Sequence, residues 1–318
     1  MQHPQPRLAS ILGIASELGR LRSIAEIDFL GADPQALELY RLAGLECYAE
    51  SDLRPVDLAA AAVRRTLELA DLAGIDRREV GYLLYVGESH ERDEAVSADD
   101  VNELLLATGL AGAYPIGLAL SQCANVVTGL RVAASLILSG AARRVMVVSV
   151  DKAPRRPGGR RMQPEMSVRS DSAVSCLVGP PGEGQLDVLS IVQENAPEQR
   201  RIDASAEPGT LQMGKFRHIR TVAKRLLAEL EAEPGRFRRV ITNNYNREIA
   251  KTFVSLCGFP HALGFYDNIP RLAHAVAGDV LLNLGDLADA GGLEPGDLAL
   301  LLTDSISSTS AVCVEATA

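Results

Sequence analysis

The chain has 318 residues, 47% of them apolar and 23% charged, which excludes a disordered, collagen-like or coiled-coil polymer and leaves a globular protein with room for one large or two medium cores. Thirty-two Lys and Arg against 41 Asp and Glu give a net charge of −9; an acidic chain lacks the basic face that phosphate neutralisation needs, so no nucleic acid partner is expected. The cysteines Cys47, Cys123, Cys176, Cys257 and Cys313 are odd in number and widely spaced, and no apolar run approaches the roughly 18 residues of a membrane helix, so the reading is a reduced, cytoplasmic protein with no metal site and no membrane contact.

Residues 8–15 read as a buried strand ended by Gly19, followed by an irregular, partly charged stretch to about residue 54. Pro55 opens a helix at a position where the missing N–H costs nothing, and Val56, Ala59, Ala60, Val63, Leu67 and Ala70 recur at helical spacing until Gly74. Residues 80–86 form a strand that is apolar on both faces. Helical spacing returns over 124–138 through Val127, Leu130, Ala134 and Leu138, closed by Ser139-Gly140, and a buried strand follows at 145–150. After the turn-rich segment 179–185 the order repeats: strand 186–192, helix 219–230, strand 240–242, helix 276–287, strand 298–302. Matching elements are offset by about 150 to 160 residues, which predicts two similar halves, 1–180 and 181–318. Helices alternating with continuously apolar strands give the α/β class, with a mostly parallel sheet covered on both faces.

No phosphate-binding loop, HExxH, GxSxG or GxGxxG pattern is present. What remains is Ser121-Gln122-Cys123-Ala124-Asn125, a cysteine directly before an amphipathic helix. A thiol at a helix N-terminus lies in the field of unpaired N–H groups, which favours thiolate and can hold an oxyanion, the two needs of acyl transfer from a thioester. The competing reading is a small buried hydrophobe.

The segment SQCANVVTGLRVAASLILSGAARRVMVVSVD resembles the nucleophile region of the ketoacyl-(acyl carrier protein) synthase III branch of the thiolase superfamily. LASILGIASEL resembles that family's opening strand, SDSAVSCLVG its GDGAGA strand, NNYNREIAKTFVSLCGFP the segment with its active-site histidine, and GLEPGDLALLL the stretch before its last hairpin. The resemblance implies a thiolase-like, duplicated five-layer α-β-α-β-α sandwich, a homodimer, and Cys123 as nucleophile. The family's histidine falls on Asn243, with Asn246 on the same motif's asparagine, and the family's second asparagine falls on His274. Asn243 and His274 are therefore the expected partners of Cys123, either as shared oxyanion donors or with His274 as general base. Where the family has a glycine-rich oxyanion loop, Thr303-Asp304-Ser305-Ile306-Ser307 stands, and Ser305 is expected to offer its backbone N–H there.

Arg155, Arg156, Arg160 and Arg161, with Lys215 and Arg217, form basic clusters on an acidic chain and are expected to dock an acyl carrier protein or the phosphate of its phosphopantetheine. The family's adenine-stacking tryptophan is missing, since the chain contains no Trp, so a carrier-borne donor is favoured over coenzyme A. His90, in a charged loop after a strand, is a lesser candidate for the pocket mouth. The function expected is a ketosynthase-III-like acyltransferase of specialised metabolism with no tightly bound cofactor: Cys123 takes an acyl group from a carrier-protein or coenzyme A thioester and passes it to an oxygen, nitrogen or carbon nucleophile of a small acceptor. The alternatives are decarboxylative Claisen condensation and a non-catalytic ketosynthase partner subunit.

Overall fold

The computed structural model describes residues 7–88, 96–162, 166–203 and 206–317, so His90 lies outside the described residues. Strand β1 (Ala9–Leu18) starts the chain. The stretch predicted as irregular folds instead into β2 (Arg20–Ser23), α1 (Asp28–Gly31), α2 (Pro34–Leu42) and β3 (Cys47–Glu50). These pieces are too short for periodicity to register, but α2 carries a local start signal: Asp33 accepts from the N–H groups of Gln35 and Ala36, and Pro34 follows it. The excursion buries Ile24, Leu30, Tyr40, Leu45 and Tyr48 against Val168, Ile269 and Ala273.

Then come α3 (Pro55–Leu72), β4 (Val80–Val86), α4 (Ala98–Thr108), β5 (Tyr114–Leu118), α5 (Asn125–Leu138), β6 (Arg144–Asp151) and β7 (Ser172–Gly179). The remaining elements are β8 (Leu186–Asn195), α6 (Pro208–Glu229), β9 (Phe237–Thr242), α7 (Arg247–Leu256), β10 (Gly264–Phe265), α8 (Asn268–Leu272), α9 (Asp279–Asp289), β11 (Leu298–Asp304) and β12 (Ser308–Ala316). Helix α6 starts eleven residues before the predicted 219 because its first three turns bury little besides Gly214, and an exposed turn leaves no apolar stripe to read.

Strand order is β10-β9-β11-β12-β8-β1-β7-β6-β4-β5. It divides into two five-stranded arrays of the same connectivity, β5-β4-β6-β7-β1 and β10-β9-β11-β12-β8, joined where Ala9, Ser10 and Ile11 pair with Val188, Asp187 and Leu186. Four of the nine strand pairings are parallel and five antiparallel, so the expectation of a mostly parallel sheet is corrected to a mixed one. The reason is local: β6 and β7, like β11 and β12, follow one another without an intervening helix and pair antiparallel. Helices α5 and α9 share one apolar core with strands of both arrays. Helices α3 and α4 cover the outer face of the first array, and α6 and α7 that of the second. This is the thiolase-like five-layer α/β sandwich.

Burial pushes the thiols of Cys176 and Cys257 up to about 12 and raises that of Cys313 as well, from an ordinary 9.0. Unfolded, these thiols ionise in the ordinary range; folded, they stay protonated. Their stabilising effect is thus complete below pH about 9 and declines as pH rises towards about 12, by about 1.4 kcal/mol per thiol per pH unit. Urea unfolding midpoints measured at rising pH are expected to fall over this window, and Cys176→Ala to flatten the fall.

Candidate active site

Cys123 occupies a 3-10 turn, Gln122–Ala124, that leads into α5. The turn is anchored by Asn125, whose Oδ1 accepts from the Ser121 N–H at 2.9 Å while its Nδ2 donates to the carbonyls of Gly87 and Ala119 at 3.0 and 3.1 Å. Gln122 takes φ +52°, a left-handed conformation that costs a residue with a side chain and persists only where surroundings enforce it.

His274 sits between α8 and a second 3-10 turn, Val276–Gly278, that precedes α9. Ala273 (φ +48°) and Val276 (φ +54°) flank it in the same unusual region. Its own backbone is tied at both ends, its N–H donating to Val168 O and its carbonyl accepting from Ser170 N. The result is a contact between the two halves: His274 Nε2 lies 3.5 Å from Cys123 Sγ.

Behind the imidazole stands Asp279, in the first turn of α9. Its Oδ2 is 2.5 Å from His274 Nδ1 and also accepts from the Asn244 N–H at 2.8 Å, and its Oδ1 accepts from the Ala275 N–H at 2.7 Å. Cys123 is 6% exposed, His274 and Asp279 not at all. A carboxylate only accepts, so Nδ1 carries the hydrogen, and in the neutral imidazole Nε2 presents a lone pair to the thiol. Sequence reasoning missed Asp279. The available signal was an Asp five residues after His274 at a helix start, where it serves the helix as well.

The expected thiolate at a helix N-terminus is corrected. Burial, followed by the charges of Glu88, Asp279 and Asp151, raises Cys123 well above the ordinary thiol value, with only the Tyr245 hydroxyl opposing. The thiol therefore rests protonated, and the thiolate forms only as Nε2 takes the proton. Tyr245, also missed, packs its ring 4.8 Å from that of His274 and donates its hydroxyl to Asp304 O at 2.6 Å.

Asn243 is fully buried near this chain of groups, with Oδ1 held by the Asp304 N–H at 2.8 Å and Nδ2 without a partner among the described residues. Asn246 caps α7 by accepting from Ile249 N at 2.9 Å and so serves the helix. Ser305 lines the cavity, but its backbone N–H donates to Ser308 O at 2.9 Å as part of the turn into β12. The expectation that this N–H serves an oxyanion is therefore corrected.

Cys123 opens onto a cavity of about 730 Å³ walled by α6, α7 and the residues Arg161, Met162, Met166 and Arg169. Arg161, Arg169, Arg200 and Lys215 contribute cations to this wall, and Met162, Met166, Leu211, Phe216 and Phe253 apolar surface. Of the basic residues expected to dock a carrier, Arg155, Arg156, Arg161 and Arg217 are exposed. Two are committed elsewhere. Arg160 bonds both carboxylate oxygens of Asp171 at 3.1 Å and Glu50 at 3.1 Å and lies over the Tyr48 ring, because those acidic groups converge on it in the fold. Lys215 pairs with the fully buried Asp304 at 3.1 Å. Among the described residues no group of three His, Cys, Asp or Glu stands close enough to hold a metal ion, and no helix is long and apolar enough to cross a membrane.

No family model and no curated protein matches the sequence. Solved structures do match in fold. The chain is similar to the acyltransferase ChlB3, at 19% identity over 98% of each chain with a TM-score of 0.84. It is also similar to OleA of Xanthomonas campestris, at 17% identity over 99% of this chain and 100% of that one with a TM-score of 0.81. A 3-oxoacyl-(acyl carrier protein) synthase III of Pseudomonas aeruginosa matches at 18% identity over 98% of each chain with a TM-score of 0.77. The fold is that of the ketosynthase III enzymes.

Proposed function

We propose that the chain is a ketosynthase-III-like acyltransferase working through Cys123, His274 and Asp279. The observation that carries this reading is the unbroken chain from Cys123 Sγ through Nε2 and Nδ1 of His274 to Asp279 Oδ2. As Sγ attacks the thioester carbonyl, Nε2 takes its proton, and Asp279 stabilises the imidazolium. The tetrahedral intermediate collapses, the donor thiol leaves with that proton, and Cys123 holds the acyl group. An acceptor O–H or N–H then gives its proton to Nε2 as it attacks; the acyl group moves to it, and the sulfur regains the proton.

Transfer is favoured over decarboxylative condensation by the tautomer. Condensation needs donors on the malonyl thioester oxygen as the enolate forms, whereas the carboxylate on Nδ1 makes Nε2 the acceptor of the neutral imidazole. The Nδ2 of Asn243, buried and without a partner among the described residues, is taken as a donor toward the oxyanion. A carrier-borne donor is supported by the exposed Arg155, Arg156 and Arg217 together with Arg161 and Arg200 at the cavity. A homodimer is supported by β5, an edge strand with exposed Tyr114, followed by exposed Leu120. The reading extends to a role in specialised metabolism, and to a nucleophile half, 1–180, with its base supplied by 181–318.

Intact-mass measurement after mixing with acyl carrier protein thioesters or acyl-coenzyme A is the test. The expected result is one acyl adduct on the wild-type chain and none on Cys123→Ala. An adduct that persists in the variant, or its absence from wild type with every donor, refutes the reading.

A further inference from the structure

Helix α9 is buried from Asp279 through Gly285, and Val280, Leu281, Leu282 and Leu284 account for this by joining the central apolar core. Asn283 does not. It is fully buried and stands four residues after Asp279, one turn further along the same face of the helix. A buried amide costs free energy unless its polar atoms are paired. Asn283 pairs them all: its Oδ1 accepts from Asn268 Nδ2 at 2.8 Å and Asn244 Nδ2 at 3.3 Å, and its Nδ2 donates to Asn244 Oδ1 at 2.8 Å and Thr242 O at 3.3 Å. The sense of the amides is fixed from outside. Arg271 only donates, and it meets Asn268 Oδ1 at 3.0 and 2.7 Å, so Asn268 turns its Nδ2 inward and Asn283 must answer with its oxygen.

The backbone N–H of Asn244 donates to Asp279 Oδ2 at 2.8 Å, the same oxygen that meets His274 Nδ1. The pair of hydrogen bonds exchanged by Asn244 and Asn283 thus ties the end of β9 to α9 one turn beyond the carboxylate, and this tie sets how the Asn244 peptide approaches Oδ2. We propose that Asn283 is a positioning residue for the proton path: through Asn244 it holds Asp279 Oδ2 against the imidazole, and through Asp279 it keeps Nε2 directed at Cys123 Sγ. This rests on the acyltransferase reading above. Apolar side chains at 244 and 283 would fill the same space. What the amides alone supply is direction, since hydrogen bonds weaken steeply as their angles open.

The test is single-turnover acylation of Cys123, read by quenched intact mass with the fastest wild-type donor among carrier-protein, coenzyme A and pantetheine thioesters of acetate, butyrate and benzoate. Asn283→Leu is expected to lower the maximal rate by about tenfold or more, the scale of a small misplacement within a reacting set, with the half-saturating donor concentration within about twofold of wild type. Asn244→Leu is expected to act alike, so either variant reads the joint if the other misfolds. The decisive measurement is made in Asp279→Asn, where adding Asn283→Leu is expected to change the residual rate by less than about threefold, because the carboxylate it positions is gone. A larger further loss in that background overturns the proposal, as does a smaller loss than expected in the otherwise wild-type chain. A raised half-saturating concentration in place of a lowered rate assigns Asn283 to the shape of the cavity, and failure of both variants to fold assigns the amides to the fold; either result also overturns it. Adducts that form without the expected losses leave the acyltransferase reading standing; no adduct from any thioester removes both.

Discussion

Asp279→Asn is expected to slow acylation of Cys123 by about ten-thousand-fold while leaving the fold intact, the scale seen when the carboxylate of a nucleophile–histidine–carboxylate set becomes an amide. The shape is conserved but the polarity is not. Asp279 accepts from three N–H groups, those of His274 Nδ1, Asn244 and Ala275, and an amide can satisfy only those that meet its oxygen. With its NH2 toward the imidazole, the histidine must move its hydrogen to Nε2, which then donates toward Sγ and can no longer take the thiol proton. Single-turnover acylation measured by quenched intact mass, with thermal unfolding in parallel, checks this. A loss of less than tenfold removes Asp279 from the mechanism, and a comparable drop in stability reassigns it to the fold.

The second large effect concerns stability. Asp171→Ala is expected to cost about 3–5 kcal/mol, read from urea unfolding. Asp171 is buried; it accepts from the backbone N–H groups of Ser51 and Ala153 at 2.9 Å each and binds the largely buried Arg160 through both oxygens. Removing it strands two N–H groups and leaves Arg160 with Glu50 as its remaining carboxylate, beside the carbonyls of Ala49 and Arg169. Exposed pairs such as Arg78 with Asp76 contribute little by comparison, since water screens them. Replacing Arg160 and Asp171 together by Met and Leu is expected to recover part of the loss, because the apolar pair strands no charge.

Arg160 also marks where sequence stops being informative. Within Arg155-Arg156-Pro157-Gly158-Gly159-Arg160-Arg161 every arginine reads alike, yet Arg156 faces solvent and Arg160 turns inward onto carboxylates from β3 and from just before β7. Charge clusters announce a patch; only tertiary convergence says which members are spent. Asp279 was hidden for a related reason. It acts through an atom of another residue, so no spacing rule demands it, and an acidic residue opening a helix has a sufficient local explanation. Cys123 and His274 were legible because one opens a long amphipathic helix within a recognisable segment and the other occupies a position fixed by the order of segments. Their separation of 3.5 Å was not. The duplicated frame was legible from buried strands and the repeat offset. The antiparallel returns were not, since a strand buried on both faces reads the same in either direction.

The thiol rides on the helix entrance of one array and the imidazole on a loop of the other, so the distance between them works as a gauge of how the arrays seat. A shift of an ångström at the three-residue seam of Ala9, Ser10 and Ile11 with β8 would interrupt proton transfer without unpicking either core. Substitutions along that remote junction should therefore dim turnover at denaturant concentrations well short of those that melt the sheet, and activity will report on the joint before spectroscopy does.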